Sequence, residues 1–290
     1  MAKRKPAGKK PFEQLTITDN YMFQAVMQNK ERVKPLLEMI IGKKIRDIKI
    51  VEPEKTLETG YSSRGIRMDV YIEDDENTVY DVEMQASKKR HLGLRFRYYQ
   101  GSIDVDIVRK GDDFNKLKKS YIIFITTHDP FGKGWYFYPF DVSCEWDRNI
   151  KMNSASNWYV LNTTGTRDAE GHEVSDGIKE MLSYMNGDEP KSDYAKMLDD
   201  AVKEIKQNEE RRREYMSIYA NAADMREVGR YESYVRSVRD NNGLLADDVI
   251  AKFLKIALTT IQNIRTVIND HPDWDDEDVA EEVLNMEDDE

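Results

Sequence analysis

The apolar positions of this chain change their spacing several times, and each change marks an element. Between residues 20 and 41, Met22, Phe23, Val26, Val33, Leu36, Leu37 and Ile40 recur at the three- and four-residue intervals of one helical face. That spacing predicts a single helix over 20–41, opened by Asp19 as N-cap and ended at Gly42. Short alternating runs then predict strands at 45–51, 66–72 and 79–84. A helix follows at 88–109, stopped by Gly111, and more strands at 121–126, 135–142 and 158–162. Beyond Gly171 only helical patterns remain: 174–186, a long one over 192–227, and two short ones between 245 and 269. No stretch repeats another. The order predicts an α/β core with an α-helical C-terminal extension.

Composition adds limits. An apolar share of 39% supports a real core, so wholesale disorder is excluded. The net charge of −11 is unevenly spread: the stretch 270–290 holds twelve acids and no Lys or Arg, which leaves the preceding residues at +1. Lys3, Arg4, Lys5, Lys9 and Lys10 make the opening segment a basic arm. A near-neutral body with a basic arm can approach a polyanion, and an acidic tail would compete with one. The single cysteine, Cys144, excludes a disulfide framework and a cysteine zinc site and suits a reducing compartment. No apolar run approaches the roughly 20 residues that cross a bilayer, and the basic start lacks the apolar segment of a secretory signal. These features predict a soluble, cytoplasmic protein with no membrane partner. His91, His128, His172 and His271 stand apart without ligand spacing, and no Gly-rich phosphate loop is present, so no nucleotide cofactor is expected.

The chemistry concentrates in residues 64–85, Arg-Gly-Ile-Arg-Met-Asp-Val-Tyr-Ile-Glu-Asp-Asp-Glu-Asn-Thr-Val-Tyr-Asp-Val-Glu-Met-Gln. Two alternating runs flank a turn rich in Asp, Glu and Asn, the pattern of a hairpin. A turn centred on Glu76 sets Arg67 opposite Gln85, Asp69 opposite Glu83 and Tyr71 opposite Asp81. Met68, Val70, Ile72, Tyr80, Val82 and Met84 then share the apolar face, and Arg67, Asp69, Asp81, Glu83 and Gln85 the other. Like charges facing each other across strands destabilise a sheet by about 0.2–1 kcal/mol. A divalent cation such as Mg²⁺ or Mn²⁺ would resolve the conflict; so would a solvated face that lets the acids sit apart in water. Spacing alone leaves both readings standing, and Asp81, on the same face, reads as an exposed strand acid sooner than as a spare ligand. After the hairpin, Lys88, Lys89, Arg90, His91, Arg95, Arg97, Tyr98 and Tyr99 interleave basic and aromatic side chains, which suits phosphate contacts and base stacking; an ordinary positively charged helix surface explains Lys88 to Arg90 equally well.

Asp69, a hairpin, Glu83-Met84-Gln85 and then Arg95-x-x-x-Tyr99 resemble the motif series of the PD-(D/E)XK nuclease superfamily. The likeness is narrower to its branch of nuclease-family transposases and recombination-promoting nucleases, which write the last motif as Glu-x-Gln. Asp19-x-x-Phe23, Arg64-Gly65, the strand at 121–125 and Leu161-Asn162-Thr163 extend the resemblance over roughly residues 16–235. It implies a restriction-endonuclease-like core, a mixed central sheet flanked by helices. Asp69, Glu83 and Gln85 would be the catalytic set, with Asp69 and Glu83 holding Mg²⁺ or Mn²⁺ beside a main-chain carbonyl near Met84. Arg67, Arg95 and Tyr99 would support the site or touch DNA. Gln85 stands where most of the superfamily has lysine, and glutamine can hydrogen-bond an attacking water but brings no positive charge.

The domain reading follows: a disordered basic arm over 1–11, the nuclease core over 12–170, a helical extension over 171–269, and a disordered acidic tail over 270–290. Within the extension, 245–266 resembles a helix-turn-helix, with Ala251, Ile256 and Ile261 at its packing positions and Lys255 where the turn often has Gly. Its second helix offers only Gln262, Asn263 and Arg265 to DNA, which favours a packing hairpin or a dimerisation element of a homodimer. The expected function is Mg²⁺-dependent DNA endonuclease, tied to transposition or recombination. The alternative is a nuclease-fold module that cuts little or nothing and binds DNA or a protein partner.

Overall fold

A computed structural model describes residues 10–57, 65–88 and 91–288, and the side chains within them apart from those of 219, 221–224 and 288. Arg64, Lys89, Arg90 and all of the basic arm except residues 10 and 11 lie outside the described residues. The elements in chain order are α1 (Asn20–Met27), α2 (Lys30–Ile41), β1 (Ile48–Pro53), β2 (Thr56–Leu57), β3 (Ile66–Arg67), β4 (Val70–Asp74), β5 (Val79–Gln85), α3 (Leu92–Ile107), β6 (Ser120–Thr126), β7 (Phe137–Phe140), β8 (Ser156–Asn162), α4 (Asp176–Met185), α5 (Asp193–Gln207), α6 (Glu209–Asp240), α7 (Asp247–Leu254), α8 (Leu258–Asp270) and α9 (Asp276–Asp288).

Six strands form one mixed sheet in the order β1-β4-β5-β6-β8-β7. β4 and β5 pair antiparallel, β5, β6 and β8 run parallel, and β1 and β7 close the edges antiparallel to their neighbours. The β4–β5 register is the one expected: Tyr71 lies opposite Asp81, and Val70 opposite Val82. Asp74 fixes the turn. Its Oδ1 accepts from the backbone N–H groups of Glu76 (2.9 Å) and Thr78 (2.8 Å), its Oδ2 from the Tyr80 hydroxyl (2.8 Å), and Asn77 adopts the left-handed φ of 62° that the turn requires. Both faces of the hairpin are covered, so β5 is buried from end to end. On the acidic face, Phe96 and Ile103 of α3 pack over Ile122, Phe124 and Val160. The long strand expected over 66–72 breaks at Met68 and Asp69: β3 leaves the main sheet and pairs with β2, Arg67 opposite Thr56.

Two expected helices are each divided by an asparagine. The 20–41 helix splits between α1 and α2, where Asn29 turns extended and accepts the Glu31 N–H at 2.8 Å. Asp19 stands at the N-cap of α1, but its carboxylate turns back to Thr16 and Lys10 instead of capping the helix. The 192–227 helix ends at Gln207, and Asn208 accepts from the N–H groups of Glu210 (2.9 Å) and Arg211 (3.1 Å) to start α6. Hydrophobic periodicity runs on across such breaks, because a cap interrupts the backbone without changing which residues are apolar.

Contacts divide the chain into one compact unit over residues 10–211 and a second from residue 212 onward. The core thus extends past the expected limit of 170. α4 and α5 belong to it, burying Met181, Leu182, Ala195 and Leu198, and α5 is tied to α2 by the Tyr194 hydroxyl on the Arg32 carbonyl at 2.9 Å. The second unit has its own core, in which Tyr231, Val235 and Val238 of α6 meet Ile250, Ala251, Ile261, Ile264 and Val267. The acidic tail is not a disordered tail over its described length. Residues 276–288 form α9, which inserts Val279, Ala280 and Val283 into that core, and Glu287 accepts from the hydroxyls of Tyr231 (2.5 Å) and Thr260 (2.7 Å). Lys255 takes the left-handed conformation (φ 58°) at the α7–α8 turn, and Arg265 is engaged by Asp247 (2.5 Å) and Asn242 (3.0 Å). Among the described residues, no helix is long and apolar enough to cross a membrane.

Substituting Val279→Asp puts a charge into the fully buried face of α9 and should destabilise the C-terminal unit by at least ~2 kcal/mol. Hydrogen exchange should show protected amides over 276–284 in the wild type and their loss in the variant. Wild-type exchange at the unprotected rate there would contradict the packed helix.

Candidate active site

The break at Met68 and Asp69 positions the site. Asp69 precedes β4, its carbonyl accepting the Glu54 N–H at 3.1 Å, and its side chain turns under the sheet's α3-covered face beside Glu83. The two acids interlock through the backbone. The Asp69 N–H donates to Glu83 Oε1 at 2.8 Å, and the Met84 N–H donates to Asp69 Oδ2 at 3.0 Å. Alternation along β5 carries Asp81 and Gln85 to the same face as Glu83. Asp69 is 7% exposed, Glu83 and Gln85 4%, and Asp81 not at all, so the solvated-face reading fails for every one of them.

Three further side chains hold this group. From α1, Gln24 donates its amide to Asp69 Oδ1 at 3.1 Å. From α3, the Tyr99 hydroxyl donates to Glu83 Oε2 at 3.3 Å, and Arg95 Nη2 lies 3.5 Å from the same oxygen. Arg95 Nη1 also donates to Gln85 Oε1, while Gln85 Nε2 donates to the Ser87 carbonyl at 2.8 Å. The Arg95 guanidinium rests 4.6 Å from the Phe124 ring centre, which fixes its plane over the sheet. The pair four apart on α3 therefore acts as one clamp on Glu83 and Gln85.

Arg67 is the sequence-predicted residue that the structure leaves out. β3 pairs with β2 rather than with β5, so Arg67 faces Thr56 instead of Gln85, and its exposed side chain lies 3.8 Å from Glu54. Asp81 is the opposite case: expected as an exposed acid, it is fully buried, and neither oxygen makes a hydrogen bond among the described residues. Gln24 had no signal at all, because its partner is 45 residues away and only the tertiary fold brings them together.

The electrostatics are severe. Burial, followed by repulsion from Asp69, pushes the Glu83 carboxyl up to about 8. Burial likewise holds Asp81 well above the ordinary carboxylate range, with Glu83 and then Asp69 adding repulsion. Three buried acids thus face one guanidinium. Among the described residues no group of three or more His, Cys, Asp or Glu side chains could hold a metal ion; the residues that would hold one here are the two acids Asp69 and Glu83, each of whose oxygens already accepts a hydrogen bond and has a second lone pair. They fit a hard divalent ion: the donors are oxygens, the carboxylates are held in place by Gln24, the Met84 N–H, Tyr99 and Arg95, and the oxygens of the neighbouring buried Asp81 have no hydrogen bond among the described residues, so a positive charge would be favoured there.

A mixed sheet flanked by helices, with acids from adjoining strands converging at a break in one of them, defines a nuclease-type core. The chain belongs to the PD-(D/E)XK nuclease family transposases, whose family model matches residues 19–247 and leaves α7 beyond Asp247, α8 and α9 outside the match. No curated protein and no solved structure matches it.

The raised Glu83 pKa has a stability consequence. Between the ordinary glutamate value of 4.5 and about 8 the folded protein binds more protons than the unfolded chain, so without metal its stability falls as pH rises through that window. Glu83→Gln should flatten this slope, leaving the variant's melting temperature less sensitive between pH 5 and pH 8 by about 4–8 °C, the equivalent of about 2 kcal/mol. Thermal melts in EDTA at the two pH values check this; parallel slopes would contradict the shift.

Proposed function

We propose that the protein is a Mg²⁺- or Mn²⁺-dependent endonuclease that hydrolyses DNA phosphodiester bonds in transposition or recombination. The observation that carries the reading is the joint burial of Asp69 and Glu83, whose repulsion a divalent ion relieves. Asp69 and Glu83 would hold the ion together with a main-chain carbonyl near Met84. When bound, it supplies Lewis-acid stabilisation of the charge that builds on the scissile phosphate. The chain's own groups do the positioning. Gln24 and the Met84 N–H orient Asp69; Tyr99 and Arg95 orient Glu83. Gln85 offers an amide able to align the attacking water, and Arg95, bonded to it, brings the positive charge that Gln85 lacks.

A second reading is a binding module that keeps the fold and cuts little or nothing. It is favoured by one observation: both ends of the Gln85 amide are already engaged, by Arg95 and by Ser87.

Supercoiled plasmid with Mg²⁺ separates the two. The wild type should nick it, and Asp69→Ala and Glu83→Ala should each be slower by ~10²-fold or more. Equal nicking by all three would remove the hydrolase claim. Plasmid binding without cleavage, unchanged in the two variants, would establish the second reading.

A further inference from the structure

Beside Gln85, at the C-terminal end of β5, the chain builds a rigid, positively charged rim from the loop over 127–134. The loop is locked to β5 where it leaves β6: the Thr127 N–H donates to the Gln85 carbonyl at 3.2 Å, and the Thr127 hydroxyl to the Ala86 carbonyl at 2.9 Å. It is then folded back on itself by Asp129. That carboxylate accepts from the N–H groups of Phe131 (3.0 Å) and Gly134 (2.6 Å) and from the Tyr138 hydroxyl (2.8 Å), which in turn accepts the Trp135 N–H at 3.2 Å. Asp129 is thus occupied with the turn's own donors, and these hold its pKa below the ordinary value against the effect of burial.

The charges left on the outside are cationic. Lys133 is exposed at the tip, and its carbonyl accepts Arg167 Nε at 2.9 Å, which seats Arg167 against it. The backbone repeats the tie, with Arg167 N–H to the Gly134 carbonyl at 3.1 Å and Tyr136 N–H to the Arg167 carbonyl at 3.2 Å. Lys88, exposed three residues past Gln85, is close enough for its charge to help keep His128 neutral, after burial of the imidazole. Lys88, Lys133 and Arg167 make no ion pair among the described residues, and the neighbouring acid Asp168 is taken by Lys179 at 2.7 Å. Here the backbone ties the segment that carries Arg167 to a loop that carries Lys133 and is anchored on β5 at Gln85 and Ala86, and neither cation is offset by an ion pair among the described residues.

We propose that this rim is a docking surface for the phosphodiester backbone of the nucleic acid, with Lys133 and Arg167 each neutralising one phosphate and Lys88 guiding the strand toward Gln85. The inference rests on the DNA-cleaving reading and adds to it where the strand lies. The acidic pair would repel an approaching polyanion, and a cationic lip beside it supplies the compensating attraction. Arg167, with Nε fixed on the Lys133 carbonyl, keeps its outer N–H groups in solvent, the geometry suited to a phosphate fork. The contacts are to backbone, so they carry position and not sequence.

The test is the salt dependence of full-length protein binding to a fluorescein-labelled 30-base-pair duplex in EDTA. The Lys133→Ala/Arg167→Ala variant should bind more weakly at every salt concentration, with the slope of log K against log[salt] reduced by about 2, near one per phosphate contact. A charge-matched control, Lys43→Ala/Lys191→Ala, should keep the wild-type slope, and all proteins should melt at the wild-type temperature. An unchanged slope in the rim variant, or an equal fall in the control, would overturn the rim while leaving the nuclease reading intact. A wild type that does not bind the duplex would overturn both.

Discussion

Asp69, at the break before β4, and Glu83, on β5, meet on a face that a helix covers, so two carboxyl groups are held together where water cannot screen the charge of either. Nothing in the hairpin itself requires this; valine in both places would make a more stable sheet. The structure compensates locally, through crossed backbone hydrogen bonds between the two residues, an amide from α1 and a guanidinium and phenol from α3. The compensation is incomplete, because the buried Asp81 oxygens have no hydrogen bond among the described residues, and burial with repulsion from Asp69 pushes the Glu83 carboxyl up to about 8.

The rest of the core is arranged to hold that geometry. Asp74 locks the turn that sets the β4–β5 register, and the register fixes which side chains share the face. The departure of β3 to pair with β2 frees Asp69 from the ladder, so its own N–H can reach Glu83. α3 lies over the face and brings Arg95 and Tyr99, one turn apart, onto the same carboxylate oxygen. α1 closes the other side with Gln24. Each support comes from a different element, so the site depends on the whole sheet-and-helix assembly and not on a local motif.

Much of this was legible in the sequence. Strict alternation and the Asp/Asn-rich turn fixed the hairpin register, and with it the convergence of Asp69, Glu83 and Gln85; the four-residue spacing put Arg95 and Tyr99 on one face. What was not legible has physical reasons. Burial of Asp81 depends on α3 lying across β5, which alternation alone does not reveal. Arg67 was misplaced because the alternating pattern continues through the point where the backbone switches sheets. Asn29 and Asn208 divide helices whose apolar stripes run on unbroken. In 270–290 the count of acids concealed Val279, Ala280 and Val283, whose spacing is that of a helix face and whose burial builds the C-terminal core. Gln24 reaches Asp69 only through tertiary structure.

Calorimetric titration of Mn²⁺ at pH 8 tests, without a substrate, the proposal that the buried acid pair is a divalent-cation site. The account predicts saturable binding to the wild type, with proton release seen as a dependence of the heat on the buffer's ionisation enthalpy, because Glu83 must give up its proton. It predicts binding weakened by about a hundredfold or more when either carboxylate is removed in Asp69→Ala or Glu83→Ala. No heat from the wild type, or the same isotherm from all three proteins, would contradict it.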